Sequence, residues 1–337
     1  MTNRPADKDP RDGKEAQFAG MRCVALCGGV GGAKLAVGLD ALLVPENLTI
    51  ITNTGDDFVH LGLHISPDLD TVMYSLAGLA NPDTGWGRAG ESWRFMSALR
   101  ALGGEDWFQL GDLDLATHIE RSRRLAAGES LSAVTRDLGA RLGVAPALVP
   151  MSDAPVRTIV DTPDGALAFQ HYFVRDKCAP AVTGFRFAGA ETAQPAPGAL
   201  AALGDPALDA IIICPSNPFV SIDPILAVPG MREAIAAAPA PVIAVSPIVG
   251  GQAIKGPTAK MMRELGVPGD ALAIADHYAG LLDGFVLDAT DQPLARQIRD
   301  RELQCLVSDT LMTGYEEKLA LARAVLQFVQ QMQQKAT

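Results

Sequence analysis

Aromatic residues are scarce, at 5% of 337, and no run of about 18 apolar residues occurs, so no membrane-spanning helix and no membrane partner are expected. Basic residues are also in deficit. Lys and Arg number 28 against 39 Asp and Glu, a net charge of −11, which argues against nucleic acid as a partner because a duplex backbone demands a basic stripe. A small anionic ligand survives this exclusion, since a local lysine and a bound cation can outweigh the global charge. The five cysteines are odd in number and include no Cys-x-x-Cys pair. Cys23 and Cys27 share one expected strand, where four residues span roughly 13 Å, too far for a disulfide. Free thiols and a cytoplasmic location follow as the expectation. No Gly-x-Ser-x-Gly elbow and no Cys–His arrangement is present, which leaves no visible covalent nucleophile and favours direct transfer between two bound substrates. The five histidines lack zinc-like spacing, and no internal repeat is found. Residues 1–20 are polar and mixed in charge, without the apolar middle of a signal peptide, and read as a disordered extension.

What the chain does have is four motifs in one order. They are a glycine-rich run over residues 27–34 (Cys-Gly-Gly-Val-Gly-Gly-Ala-Lys), an acidic turn over 53–57 (Asn-Thr-Gly-Asp-Asp), a second acidic run over 67–71 (Pro-Asp-Leu-Asp-Thr), and the stretch 110–118 (Leu-Gly-Asp-Leu-Asp-Leu-Ala-Thr-His). Residues 22–27 and 48–52 read as buried strands around a helix over 34–43, whose Leu35, Leu39, Leu42 and Leu43 recur at helical spacing. Strand, tight turn, helix, strand opens a doubly wound α/β fold, in which ligands sit beyond the carboxyl ends of the parallel strands. Helices are expected over 68–79, 91–102, 115–125 and 131–142, the last started by Ser130. A hairpin is expected within 158–174, turning at Pro163-Asp164-Gly165 and placing Leu167, Phe169 and Phe173 on one face. The α/β pattern returns with strands over 209–214 and 241–245, helices over 229–237 and 256–265, and a closing helix over 316–330. The fold class expected is α/β, a Rossmann-like parallel sheet core from residues 21–66 and 205–337, split by a helical and β-hairpin insertion over about 67–204.

The glycine run fits neither standard nucleotide fingerprint. Gly-x-Gly-x-x-Gly fails at Lys34, and a Walker loop fails because Leu35 stands where Ser or Thr is required. The underlying physics remains: Gly29, Gly31 and Gly32 let backbone approach an anion, and Lys34 adds a charge. Asp56, Asp57, Asp68 and Asp70 offer hard oxygen ligands of the kind Mg²⁺ uses beside substrate phosphates, although helix capping explains one acid of the second pair. Ser216 and Asn217 follow one strand end, and a turn with Gly250 and Lys255 follows another. Both loops can read a base or a phosphate. His118 lies in a polar cluster unusual enough to suggest a ligand contact.

Taken jointly, these stretches, with 148–153 (Leu-Val-Pro-Met-Ser-Asp), 215–218 (Pro-Ser-Asn-Pro) and 246–250 (Ser-Pro-Ile-Val-Gly), resemble the 2-phospho-L-lactate transferase family of coenzyme F-420 biosynthesis across essentially the whole chain after residue 20. The resemblance implies a reaction in which a guanosine-diphosphate-linked three-carbon acid gives its phospho-acid half to the ribityl hydroxyl of the deazaflavin Fo. GMP leaves, and Mg²⁺ is the cofactor. It implies that Asp70 and Gln109 contact Fo, and that Asp56 or Asp57 joins Asp70 around the metal; His118, on the strength of its polar cluster, is expected beside them at Fo. Asp70, Asp57 and Lys34 are the expected catalytic residues, Lys34 stabilising the departing phosphate, and a homodimer is the usual state. Two other readings compete. One is a non-enzymatic nucleotide-sugar-binding regulator of the gluconeogenesis-factor type, which shares the glycine opening. The other is a nicotinamide dehydrogenase, weakened by the broken fingerprint.

Overall fold

The computed structural model describes residues 17–254 and 256–336, so the expected extension over residues 1–16 and the candidate Lys255 lie outside the described residues. Residues 17–20 form a turn belonging to the fold. Phe18 is wholly buried, Gln330 Nε2 donates to Gln17 O at 3.1 Å, and Asn47 Nδ2 donates to Ala19 O at 3.0 Å. The boundary expected at residue 20 is therefore too late, because one aromatic in a polar stretch is enough to tie it to the core.

The strands, in chain order, are β1 (Cys23–Cys27), β2 (Leu48–Thr52), β3 (Phe58–His60), β4 (Leu63–Ile65), β5 (Ala147–Pro150), β6 (Arg157–Thr162), β7 (Gly165–Ala168), β8 (Gly184–Ala188), β9 (Ala210–Ile213), β10 (Val242–Val245), β11 (Ile248–Val249), β12 (Gln252–Ala253), β13 (Gly284–Asp288) and β14 (Gln304–Ser308). Seven of them form one sheet in the order β14-β13-β10-β9-β1-β2-β5, with every pair parallel. A parallel sheet must be covered on both faces, which is why β1, β9 and β10 are apolar at every position. Val24, Leu26, Ile211 and Ile213 enter one core layer, while Ala25, Cys27, Ile212 and Cys214 enter the other. The chain runs outward from β1 to β2 and β5, then returns to β9 on the other side of β1. Strand order reverses there, and a crevice opens beyond the carboxyl ends of β1 and β9.

The first five helices are α1 (Gly29–Leu42), α2 (Pro67–Leu76), α3 (Arg94–Ala101), α4 (Asp112–Ala126) and α5 (Leu131–Leu142), of which α1, α2 and α4 contribute to the wall of that crevice. Helix α5 begins where Ser130 directs it, its hydroxyl accepting from Ala133 N. Helix α1 packs against both α2 and the C-terminal helix Tyr315–Ala336.

The Rossmann-like core is as expected, with differences of detail. The glycine run is not a loop ahead of a helix at Lys34; it is the opening turn of α1, with Gly28 as an extended N-cap and Gly29 at φ +61°. The stretch expected as an insertion over 67–204 returns to the main sheet as edge strand β5, so it is no single excursion. The hairpin β6–β7 forms at the expected turn, but β7 ends at Ala168. Phe173 lies in a π-helical turn over His171–Arg175, where it stacks on Phe169 with centroids 5.4 Å apart. A third strand, β8, pairs with β6.

Candidate active site

The crevice at the reversal point is a cavity of about 450 Å³, within the range of small-molecule sites. The opening of α1, the start of α2, the inner face of α4 and the loops after β9 and β10 wall it. Glycine at its base is a steric requirement. A Cβ on Gly31 would stand 2.3 Å from Pro215 O, and one on Gly28 would stand 2.5 Å from Asp68 Oδ2. Ser216 holds the two strand ends together: its hydroxyl donates to Gly28 O at 2.8 Å and accepts from Gly28 N at 3.2 Å.

Of the residues singled out in the sequence, Gly29, Gly31, Lys34, Ser216 and Asn217 all line the cavity. Lys34 Nζ also donates to Met312 O at 2.6 Å, which anchors it at the wall. Asn217 caps the π-helical turn Pro218–Ile222, its Oδ1 accepting from Phe219 N at 3.0 Å. Two glycine assignments are corrected. Gly32 lies outside the lining, because it packs beneath Ser216 Oγ and Cys27 Sγ. Gly250 is a turn residue at φ +57° whose N–H donates to Asp291 Oδ2 at 3.0 Å.

The acids separate into two groups. Asp56 and Asp68 face each other at the glycine end, with Asp68 N donating to Asp56 Oδ2 at 3.0 Å. Asp68 accepts from Asn53 Nδ2 at 2.9 Å and Ser221 Oγ at 3.2 Å, and Gly29 N–H of α1 also donates to it. Burial nevertheless pushes its carboxyl up to about 6. Burial, then the charges of Asp68 and Asp57, raises Asp56 well above the usual carboxylate range, and its buried Oδ1 has no hydrogen-bond partner. Asp57, expected at the metal and in catalysis, does not line the cavity. It turns behind the wall to accept from Ser66 Oγ at 2.8 Å and to pair with His64 Nε2 at 2.9 Å.

Asp70 lies farther along α2 and is bound by a residue that belongs to none of the four motifs. Arg121, 1% exposed, forks onto both carboxylate oxygens: Nη1 donates to Oδ2 at 2.9 Å and Nη2 to Oδ1. His118 stands between two acids, with Nδ1 3.6 Å from Asp70 Oδ2 and Nε2 3.2 Å from Asp114 Oδ2. Tyr74 OH donates to Asp114 Oδ1 at 2.6 Å. Burial raises the Asp70 carboxyl, against the opposing charges of Arg121 and His118. Burial acts the same way on Asp114, but there the adjacent His118, the Tyr74 hydrogen bond and the Arg121 charge prevail and hold it below the usual range. The expected set Asp56, Asp57 and Asp70 therefore does not converge on one point. Among the described residues, the three donors that lie close enough together for a shared ion are Asp70, Asp114 and His118, and Arg121 already occupies both oxygens of Asp70. Gln109 lines the cavity and is steadied by its Nε2 donating to Asp106 O at 2.6 Å.

Residues 23–322 match the family described as 2-phospho-L-lactate transferase CofD. The chain belongs to that family. Over 319 residues it is 44% identical to the phosphoenolpyruvate transferase of Kitasatospora aureofaciens, a match covering 93% of this chain and 99% of the relative. It is 43% identical over 320 residues to the phosphoenolpyruvate transferase of Streptomyces coelicolor, covering 93% and 100%. With that of Mycolicibacterium smegmatis the identity is 38% over 315 residues, covering 87% and 96%. In fold, two crystal structures of a UPF0052-family protein from Bacillus halodurans align with TM-scores of 0.57 and 0.60 at 15% identity. They cover 91% of this chain and 98% and 99% of theirs, and identity that low speaks to fold alone.

In this CofD-family chain two site residues outside the four motifs, Tyr74 and Arg121, carry a signal that helix periodicity can supply. Asp114, His118 and Arg121 stand at i, i+4 and i+7 on α4, and Asp70 and Tyr74 at i and i+4 on α2, so each set shares one helix face. Gln170 and Ser221, which reach Asp56 and Asp68, follow no local pattern, being about 100 and 150 residues distant in sequence.

Proposed function

We propose that this protein transfers the phospho-carboxylate half of a guanosine-diphosphate-linked three-carbon acid to the ribityl hydroxyl of Fo, with release of GMP, as a step of coenzyme F-420 biosynthesis. The name shared by the relatives favours phosphoenolpyruvate as that acid, over lactyl or glyceryl equivalents. The observation that carries the reading is one cavity with two chemical ends. At one end are the opening turn of α1, Lys34 and the facing Asp56 and Asp68; farther along α2 is Asp70, and four aromatic rings, Trp86, Phe108, Phe169 and Phe173, also line the cavity. The first end suits a diphosphate, and the aromatic lining suits a flat heterocycle whose sugar-like chain reaches Asp70.

Mg²⁺ fits the first end because Asp56 Oδ1 is a buried acceptor with no partner, beside the carboxylate of Asp68. Asp56 and Asp68 would hold the ion, which supplies neutralisation of diphosphate charge. Asp57 has an open oxygen too, but it lies behind the cavity wall with Oδ2 on His64 and Ser66, and Arg121 takes both oxygens of Asp70. Phosphoryl transfer asks for positioning and charge stabilisation more than for a covalent nucleophile. The amides opening α1 and Lys34 stabilise the departing GMP phosphate. Asn217, Ser246 and Pro247 line the wall beside them and suit the guanosine. Asp70 orients the Fo hydroxyl and accepts its proton.

The test is incubation with Fo, Mg²⁺ and an equal mixture of phosphoenolpyruvyl, phospholactyl and phosphoglyceryl guanosine donors, with products read by mass spectrometry. GMP release with a phosphoenolpyruvyl–Fo product as the main species is expected. Absence of GMP release from every donor would overturn the reading, and a nucleotide-binding regulator would then take its place. Solution mass of the purified protein decides whether the working unit is a homodimer.

A further inference from the structure

We infer that Arg121 is the positioning residue of the acceptor site: it holds the Asp70 carboxylate in the one orientation that leaves an oxygen lone pair facing the cavity. The inference rests on the reading of Asp70 as the group that meets the acceptor hydroxyl.

A carboxylate offers about four lone-pair directions. Arg121 takes one on each oxygen with the two arms of its fork, a planar match that fixes the carboxylate plane as well as its place. His118 Nδ1 stands 3.6 Å from Oδ2 on the α4 side. What is left open belongs to the cavity that Asp70 lines. Arg121 itself has no freedom to move. It is 1% exposed, sits on α4 one turn beyond His118, and its Nε makes no hydrogen bond, so the guanidinium is held through the arms that grip Asp70.

The surrounding bonds brace this pair. Tyr74, one turn after Asp70 on α2, bonds Asp114 on α4, and Asp114 is contacted by His118 of the same helix. Two cross-helix links, Asp70 to Arg121 and Tyr74 to Asp114, thus lock α2 to α4 at the cavity wall. Taking Arg121 away would leave a buried carboxylate with no full counter-charge, which is strongly destabilising. Lysine in its place would return the charge without the fork.

The experiment compares wild type with Arg121→Met, Arg121→Lys, Asp70→Asn and the double variant Asp70→Asn/Arg121→Met. Turnover of Fo with activated donor and Fo affinity by fluorescence titration are the readouts. Arg121→Met should lower kcat about 100-fold while donor KM stays within about threefold, and Arg121→Lys should recover only part of the loss. The double variant should be no slower than the worse single variant, and should melt at a higher temperature than Arg121→Met alone because the stranded charge is gone. A purely structural role predicts the opposite pattern, with losses that multiply. That result, or a kcat for Arg121→Met within about threefold of wild type, would overturn the inference. Failure of wild type to release GMP would instead sink the proposed function. The affinities then decide for Arg121: equal losses of Fo binding in both single variants, with none added in the double, uphold it, and unchanged Fo binding in Arg121→Met ends it.

Discussion

Replacing Gly31 by alanine isolates the steric logic of the phosphate end. The added Cβ would lie 2.3 Å from Pro215 O, a backbone atom of the loop after β9 that cannot swing aside. An ordinary carbon–oxygen contact is about 3.3 Å or more, so α1 and that loop must part by about 1 Å. Overpacking of this kind costs about 1–3 kcal/mol, offset by the roughly 0.5–1 kcal/mol that alanine gains over glycine in a helix. Gly38 supplies a matched control on the same helix, because its Cβ would lie 2.2 Å from Lys318 O of the C-terminal helix. Both variants should lose similar stability in urea melts. Only Gly31→Ala should disturb the Gly28–Ser216 hydrogen bonds, and with them GDP affinity, by about tenfold or roughly 1.4 kcal/mol. Calorimetric titration of folded protein with GDP reads the difference. If Gly38→Ala weakens GDP as much as Gly31→Ala does, the glycine run is a packing device and no anion cradle.

Two further outcomes follow from the acids. Asp68 carries a folded-state value raised to about 6, above an unfolded value of about 3.9, so its stability contribution is intact below about pH 4 and is lost as pH rises toward 6. Asp68→Asn should therefore exceed wild type at pH 7.5 by on the order of 1–2 kcal/mol in magnesium-free urea melts, after discounting for cavity water, and by less at pH 5. A gap that does not widen between those two pH values contradicts the assignment. Asp56→Ala should abolish magnesium-stimulated turnover while keeping the melting temperature near wild type. Asp57→Ala should do the reverse, lowering the melt through loss of the His64 and Ser66 contacts and sparing the magnesium response; a magnesium requirement altered equally in both variants would restore Asp57 to the site.

The fold's first half is legible in the sequence because its signals are local. The apolar strands at Cys23–Cys27 and Leu48–Thr52, the cap at Ser130 and the turn at Pro163-Asp164 each lie within a few residues of what they govern. Edge strand β5 is hidden inside a helical stretch, because four residues give too short a pattern to separate from a loop. Phe173 misleads for a different reason: period two continues past the end of β7, and the π-helical turn that takes over depends on packing against Phe169. The site is legible as composition and less so as geometry. Sequence places Asp56 and Asp57 as equals, yet adjacent residues of a turn point in opposite directions, and only tertiary contacts decide that Asp56 faces the cavity while Asp57 faces His64. Arg121 escapes a motif-based reading because arginine on an amphipathic helix ordinarily faces solvent, and only the register of Asp114 and His118 on the same face marks it as inward.

The acids explain why this site is poised for a ligand. Asp56, Asp57, Asp70 and Asp114 are each under a tenth exposed, and the fork of Arg121 neutralises one of them directly. Hydrophobic residues in those positions would make a more stable protein, since buried charges rarely repay their desolvation. Asp68 adds a second tension, because its carboxylate already receives an amide from the turn of α1 where a substrate phosphate would sit. Phosphate and carboxylate contend for that amide, and their negative charges repel at close range. A cation held by Asp56 and Asp68, as proposed above, would ease both conflicts by neutralising the carboxylates and leaving the amides to the phosphate. On this account nucleotide binding and magnesium binding are coupled by charge, so each strengthens the other by the same factor. GDP affinity should then depend on magnesium in the wild type and lose most of that dependence in Asp68→Asn; an equal dependence in both would mean that the cation binds elsewhere.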